Sequence, residues 1–209
     1  MIELSAALVL LVASHVIPSR PGLRERLLAA LGRPAFVAVY SAISVLALAA
    51  VIVAYGQADP TLLVWSPPFE GRYVAFAAMP LAMVLLVCRL TQGPGAAPHG
   101  IYRVTTTPGS LAVLVWSLVH LLNVGAARTI LVFLGMLAIA LWALLRNAAR
   151  ATPPGPYGVL PFARIAAGRE RLAFSEIGWW RLLAALVLTA VLLLLHPVVI
   201  GVDPLAGVL

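Results

Sequence analysis

The sequence predicts an all-α fold: a polytopic membrane helical bundle of about six transmembrane helices, with both termini on the outer side. Three observations predict it. Of the 209 residues, 63% are hydrophobic and only 10% charged, whereas an ordinary soluble domain carries roughly 25% charged residues. A soluble chain of this size needs more polar surface than that, and a disordered one is poor in apolar residues. Second, six stretches approach or meet the roughly 20 apolar residues that a spanning helix requires. Third, the charge is one-sided. There is no lysine, all 14 basic residues are arginine, and twelve of them fall on one side when the spans alternate.

The expected spans are Ile2 to Ile17, Phe36 to Tyr55, Tyr73 to Leu90, Ser110 to Asn123, Ile130 to Leu145 and Trp180 to Ile200. They are Leu/Ala-rich runs without the alternation of a membrane barrel strand. The first has no basic residue ahead of it, so it reads as a retained helix rather than a cleaved signal. Spans four and five are separated only by Val124 to Arg128, a tight helical hairpin with Gly125 as the expected helix stop. Arg20, Arg24, Arg26 and Arg33 lie between spans one and two, and Arg89 and Arg103 between three and four. Arg146, Arg150, Arg164, Arg169, Arg171 and Arg181 lie between five and six, with only Arg72 and Arg128 opposite. The positive-inside rule places the arginine-rich connections in the cytoplasm, and Glu3, Asp59, Glu70 and Asp203 fall on the outer side.

The longest connection, Arg146 to Trp179, carries Pro153, Pro154, Pro156 and Pro161, which predicts an irregular first half. Arg164 to Phe174 reads either as a short interfacial helix, with Phe162, Ile165 and Leu172 dipping into the boundary, or as a plain arginine-rich loop. Trp65, Trp179 and Trp180 read as interfacial anchors. No repeat or second domain is visible, so residues 1–209 are read as one membrane domain.

Several chemistries are excluded. A single cysteine leaves no disulfide framework, and there is no Cys-x-x-Cys-His for covalent haem. No nucleic-acid motif accompanies the net charge of +7, which reads as membrane orientation. Gly-x-Ser-x-Gly, a Walker loop and His-Glu-x-x-His are missing. Cys88, beside Arg89, reads as packing, and Gly93, Pro94, Gly95, Pro98 and Gly100 as turn chemistry. What remains is histidine: His15, His120 and His196 in spans, and His99 before span four. Polar ionisable groups in a bilayer are costly and therefore informative. One such histidine is commonly a hydrogen-bond partner between helices; three in a small bundle point to a site. No close-spaced donor set supports zinc, and few carboxylates are present for a proton relay. Haem, apolar and needing one or two imidazoles, fits better.

The order of short motifs then suggests a family. The chain reads Ser14-His15-Val16-Ile17-Pro18-Ser19-Arg20, Leu31-Gly32-Arg33, Tyr40-Ser41, Gly100-Ile101-Tyr102-Arg103 and Trp116-Ser117-Leu118-Val119-His120. It continues with Val159-Leu160-Pro161-Phe162-Ala163, Gly168-Arg169, His196-Pro197 and Gly201-Val202-Asp203-Pro204. Over nearly its whole length it resembles the NnrU family of bacterial membrane proteins, which includes the plant zeta-carotene isomerase, a membrane haem b enzyme. The resemblance implies an inner-membrane protein associated with nitrite and nitric oxide metabolism in denitrification. It also implies haem b held by His15 and His120, with a redox partner or an apolar small molecule as possible associates beside the lipid bilayer. Two positions depart from the pattern: Thr107 stands where the family often has histidine, and Ser117 where the isomerase has cysteine.

Depth adds a separate expectation. His15 lies near the inner end of span one and His120 in the outer half of span four, so counting at 1.5 Å per residue separates them by on the order of 10–15 Å. By depth, His196 is the better partner for His120. Arg20, Arg24, Arg103 and Arg169 are candidate partners for haem propionates or anionic lipid, with Arg103 the first to test; topology alone accounts for them equally. Tyr102 and Trp116 are candidate pocket walls, against aromatic packing as the default. Two other function classes stand beside haem. One is a non-enzymatic membrane accessory protein. The other is a methyltransferase-like enzyme using S-adenosylmethionine, suggested by Gly100-x-Tyr102-Arg103 with Thr107-Pro108.

Overall fold

A computed structural model describes residues 1–95, 97–150 and 158–208. Among them every regular element is a helix: α1 (Ile2–Val16), α2 (Pro21–Gln57), α3 (Gly71–Thr91), α4 (Ile101–Val104), α5 (Pro108–Asn123), α6 (Ala127–Arg150), α7 (Ala163–Ala166), α8 (Phe174–Ile177) and α9 (Trp179–Val199). Four helices, α2, α3, α6 and α9, are long and apolar enough to cross a membrane. The helices α1 and α5 are apolar but have 15 and 16 residues. At 1.5 Å per residue that is less than the roughly 30 Å of a hydrocarbon core. The outward surface is apolar too: Val9, Leu46, Leu194 and Val198 are each more than 65% exposed. In water that surface would be unfavourable; against lipid tails it is matched.

The chain forms two compact units, Met1–Pro68 with His120–Trp142, and Phe69–Val119 with Ala143–Leu209. In the first, Leu4, Ala7, Leu8 and Leu11 recur at helical spacing on α1 and bury against Ala47, Val51, Ala54 and Ala58 of α2 and its end. Small residues on α2 let the helices approach closely, and Leu131, Val132, Met136 and Ile139 of α6 complete the cluster. The helix α2 begins well before the expected span at Phe36. It carries Arg24, Arg26 and Arg33 within helix and kinks at Gly32, whose φ of 72° and ψ of 161° are non-helical. Only glycine adopts such a backbone cheaply, and Pro34 follows where the restarted helix has no use for an N–H.

The hairpin between α5 and α6 is as expected, but Gly125 has a different job from the one the sequence suggests. It is not among the positive-φ glycines that end helices in the left-handed form. Instead the segment Leu62–Trp65 passes directly over it. Val64 N–H donates to the Gly125 carbonyl at 2.9 Å, Ala127 N–H to Leu62 at 2.8 Å, and Trp65 Nε1–H to Val124 at 2.8 Å. A Cβ on Gly125 would lie 2.1 Å from the Trp65 carbonyl oxygen. Nearby, Arg128 donates to the carbonyls of Tyr55 and Ala58, satisfying acceptors that the end of α2 leaves open.

In the second unit α3 packs along α9, with Met83, Val87 and Ala185 buried together. A neighbouring cluster joins Cys88, Ile101, Tyr102, Val104 and Ile177, so Cys88 is a buried packing residue. Arg181 donates from Nε to Thr91 Oγ1 at 2.8 Å and from Nη1 to the Ile177 carbonyl at 2.7 Å, pinning the end of α3 to the start of α9. Pro153, Pro154 and Pro156 lie outside the described residues. Arg164 to Phe174 is not one interfacial helix: it is the single turn α7, then a reversal, with α8 beginning only at Phe174.

Candidate functional site

His15 sits in the last turn of α1. Its Nδ1 is 2.9 Å from the Leu11 carbonyl, and the same carbonyl accepts Ser14 Oγ–H at 2.7 Å. A carbonyl only accepts, so Nδ1 is the donor in this contact; in the neutral ring Nε2 is then the lone-pair nitrogen, the tautomer in which imidazole binds a metal. The ring meets Tyr40 edge-on at 5.7 Å, and Tyr40 stacks on Phe36 at 6.1 Å. Phe36 and Tyr40 are one helical turn apart on α2, which gives His15 an aromatic wall.

His120, near the end of α5, stacks on Phe133 of α6 with centroids 4.5 Å apart and planes 24° apart. His15 and His120 both belong to the first unit, while His196 and His99 belong to the second. His196, in the last turn of α9, holds its Nδ1 2.8 Å from the Val202 carbonyl, so its Nε2 is also the lone-pair nitrogen by the same argument. His99 is placed in the loop before α4, with its ring 6.3 Å from that of Tyr102. No group of three or more His, Cys, Asp or Glu side chains able to hold a metal ion occurs among the described residues.

Arg103 has a partner set that the sequence did not suggest. Its Nε and Nη2 donate to the two carboxylate oxygens of Glu176, each at 2.8 Å, and its Nη1 donates to Glu170 at 2.7 Å. Glu176 also accepts the Gly100 N–H at 2.8 Å, and Arg164 donates to the Tyr102 carbonyl at 2.8 Å. The bidentate fork ties α4 to α8, the third bond ties α4 to Glu170 beyond α7, and Arg164 ties α7 itself to α4, so Glu170 and Glu176 lie among the arginines. The signal for it was present: these two are acids in the midst of Arg169, Arg171 and Arg181. The paired guanidinium, and next the Gly100 N–H, hold the Glu176 carboxyl down at about 2, from an ordinary 4.5. A carboxyl lowered on folding stabilises the fold fully above its unfolded pKa and loses that contribution as pH falls through the folded value. The α4–α8 segment should therefore keep its protection against proteolysis at pH 6 and lose it progressively between about pH 4.5 and 2. In Glu176→Gln the protection should be weak already at pH 6, and equal pH profiles for the two proteins would refute the assignment.

The two departures from the family pattern are both buried. Thr107 is 7% exposed and caps α5, its carbonyl accepting Leu111 N–H at 3.1 Å. Its own N–H donates to Thr105 Oγ1 at 3.2 Å, and Thr105 in turn donates to the Val159 carbonyl at 3.0 Å. Ser117 is fully buried, and its Oγ has no hydrogen-bond partner among the described residues. Tyr102, Thr107 and Pro108 line a cavity of about 310 Å³ in the second unit, together with Arg89 and Arg146, which sequence reasoning had counted only toward orientation.

The family model described as NnrU protein matches residues 3–204. No curated protein and no solved structure matches the chain. The match spans almost the entire sequence, and the apolar helices and the histidine-bearing motifs fall inside it. The chain is a helical membrane protein that belongs to the NnrU family.

Proposed function

We propose that this protein is a multi-pass protein of the bacterial inner membrane that holds haem b by imidazole ligation and acts in nitrogen-oxide or other redox metabolism, with isomerase-like action on an apolar substrate as a further use of the same centre. The six apolar helices would then all cross, α1 and α5 with help from their flanking residues, both termini outside and the arginine-rich segments inside. The observation that carries the haem reading is the His15 imidazole: Nδ1–H tied to Leu11, Nε2 left with its lone pair, and Tyr40 and Phe36 beside it. Haem brings four ring nitrogens of its own and asks the protein for one or two imidazoles and apolar walls. That donor set fits these side chains, whereas the described residues hold no group of three or more able to bind a bare metal ion. His15 and His120 are the ligands the family resemblance implies; His196 has the same ligand-ready tautomer and is the alternative partner by depth. Held by these imidazoles, haem would supply one-electron redox chemistry.

The experiment is an absorption spectrum of detergent-purified protein, oxidised and then dithionite-reduced, beside His15→Ala, His120→Ala and His196→Ala. A Soret band is expected, weakened or shifted by His15→Ala and by His120→Ala. A shift with His196→Ala in place of His15→Ala would move the ligand set to the depth pairing. If no Soret band appears even when haem is supplied during expression, the accessory-protein reading replaces this one.

A further inference from the structure

The geometry points to a phosphate-binding pocket where α3 ends and α5 begins, built from Arg89, Arg146 and the first turn of α5. The cavity there is about 310 Å³, at the lower end of the range for small-molecule sites, and larger than a phosphate group alone requires. Two guanidinium groups line it and no Asp or Glu does. The contrast within the same unit is informative. Arg103 is neutralised by Glu170 and Glu176, and Arg164 lies 3.9 Å from Glu170, while Arg89 makes no ion pair among the described residues. Carboxylates have been placed on the neighbouring arginines and kept off the wall of this cavity.

Arg89 is also held in place. A Cβ on Gly109 would meet Arg89 Cγ at 2.9 Å, so the arginine stem lies directly against the first turn of α5. That turn has its own attraction for an anion. The first N–H groups of a helix have no intrahelical acceptor; Pro108 has none to offer, so those of Gly109 and Ser110 remain, both residues lining the cavity. The positive end of the helix dipole acts in the same direction. The hydroxyls of Thr106 and Ser110 add donors at the same wall, and the buried Thr105–Thr107 turn fixes where α5 starts. Guanidinium forks, backbone N–H groups and hydroxyls are the donor set for a tetrahedral oxyanion. S-adenosylmethionine carries a sulfonium and an ammonium against one carboxylate, so this wall repels it. The phosphate can belong to a lipid headgroup or to a free phosphorylated compound, since the pocket lies where the apolar run of α3 gives way to Arg89.

The test uses the full-length protein in a neutral detergent at constant ionic strength, reading melting temperature. It is titrated separately with sodium phosphate, dihexanoyl phosphatidylglycerol and dihexanoyl phosphatidylcholine. A saturable rise is expected, with half-saturation weakened about tenfold in Arg89→Gln and partly restored in Arg89→Lys. Arg89 is exposed, and an unchanged melting temperature without additive checks that each variant folds. Saturation by inorganic phosphate identifies a free phosphate compound as the source. Saturation by phosphatidylglycerol, with phosphatidylcholine weaker, identifies a lipid headgroup. The proposal is overturned by equal half-saturation in wild type and Arg89→Gln, by equal response to the two lipids with none to inorganic phosphate, by no response to any additive, or by displacement with S-adenosylmethionine. None of these readings depends on haem.

Discussion

Replacing Gly125 by alanine is expected to destabilise the protein by about 3 kcal/mol, at the upper end of the usual cost of overpacking. The added Cβ would sit 2.1 Å from the Trp65 carbonyl oxygen and 3.0 Å from Pro67 Cδ. The first is backbone, which cannot rotate away as a side chain can. Relief therefore requires lifting the Leu62–Trp65 segment, and that breaks the hydrogen bonds from Val64 to Gly125 and from Ala127 to Leu62, together with the one from Trp65 to Val124. The control is Gly56→Ala. Gly56 lies inside α2 with nothing within 4 Å of its would-be Cβ, and alanine is the better helix former by up to about 1 kcal/mol. Thermal unfolding of the two variants in the same detergent should move in opposite directions. A Gly125→Ala protein that melts with the wild type would show that the strap does not lie over the hairpin.

Arg103→Ala is the second large effect. One guanidinium serves two carboxylates from two places in the chain, with Glu176 73 residues away and Glu170 67. Its loss leaves Glu176 with the Gly100 N–H and Glu170 with Arg164 at 3.9 Å, and removes the side-chain tie between α4 and α8. Proteolysis within residues 163–177 should become markedly faster, while the helices α1 and α2 of the other unit keep their protection. Arg103→Lys should recover only part of the effect, because a compact ammonium cannot form the two-pronged contact with Glu176 while also reaching Glu170. Equal cleavage of Arg103→Ala and wild type would remove the fork as the organiser of this segment. The same variants bear on Arg103 as a propionate partner: its donors are committed to carboxylates, so its replacement should change the loop before it changes any haem spectrum.

The contrast between Arg103 and Arg89 shows where sequence reasoning ended. Both were arginines of one connection, indistinguishable by position-counting. Only the fold reveals that one has two carboxylates and the other has none among its described neighbours. Likewise Phe36 and Tyr40 could be seen as a helical pair, but not as the wall beside His15.

The all-α class, the apolar helices, the α5–α6 hairpin, the histidines and the family were determined by the sequence alone. The reason is that membrane helices are written locally: each needs a run of apolar residues of fixed length, and the polar exceptions within a run stand out by their cost. Tertiary structure alone decided what a residue does once its neighbour comes from elsewhere in the chain. Gly125 looked like a helix stop because a stop is a local property, and became a crossing point because Trp65 lies 60 residues earlier. The fork on Arg103, the aromatic wall beside His15 and the arginine-lined cavity at α5 follow the same rule. Hydrogen bonds and ion pairs reach only about 3 Å, so their partners are set by which segments packing brings together, and composition and periodicity carry no record of that.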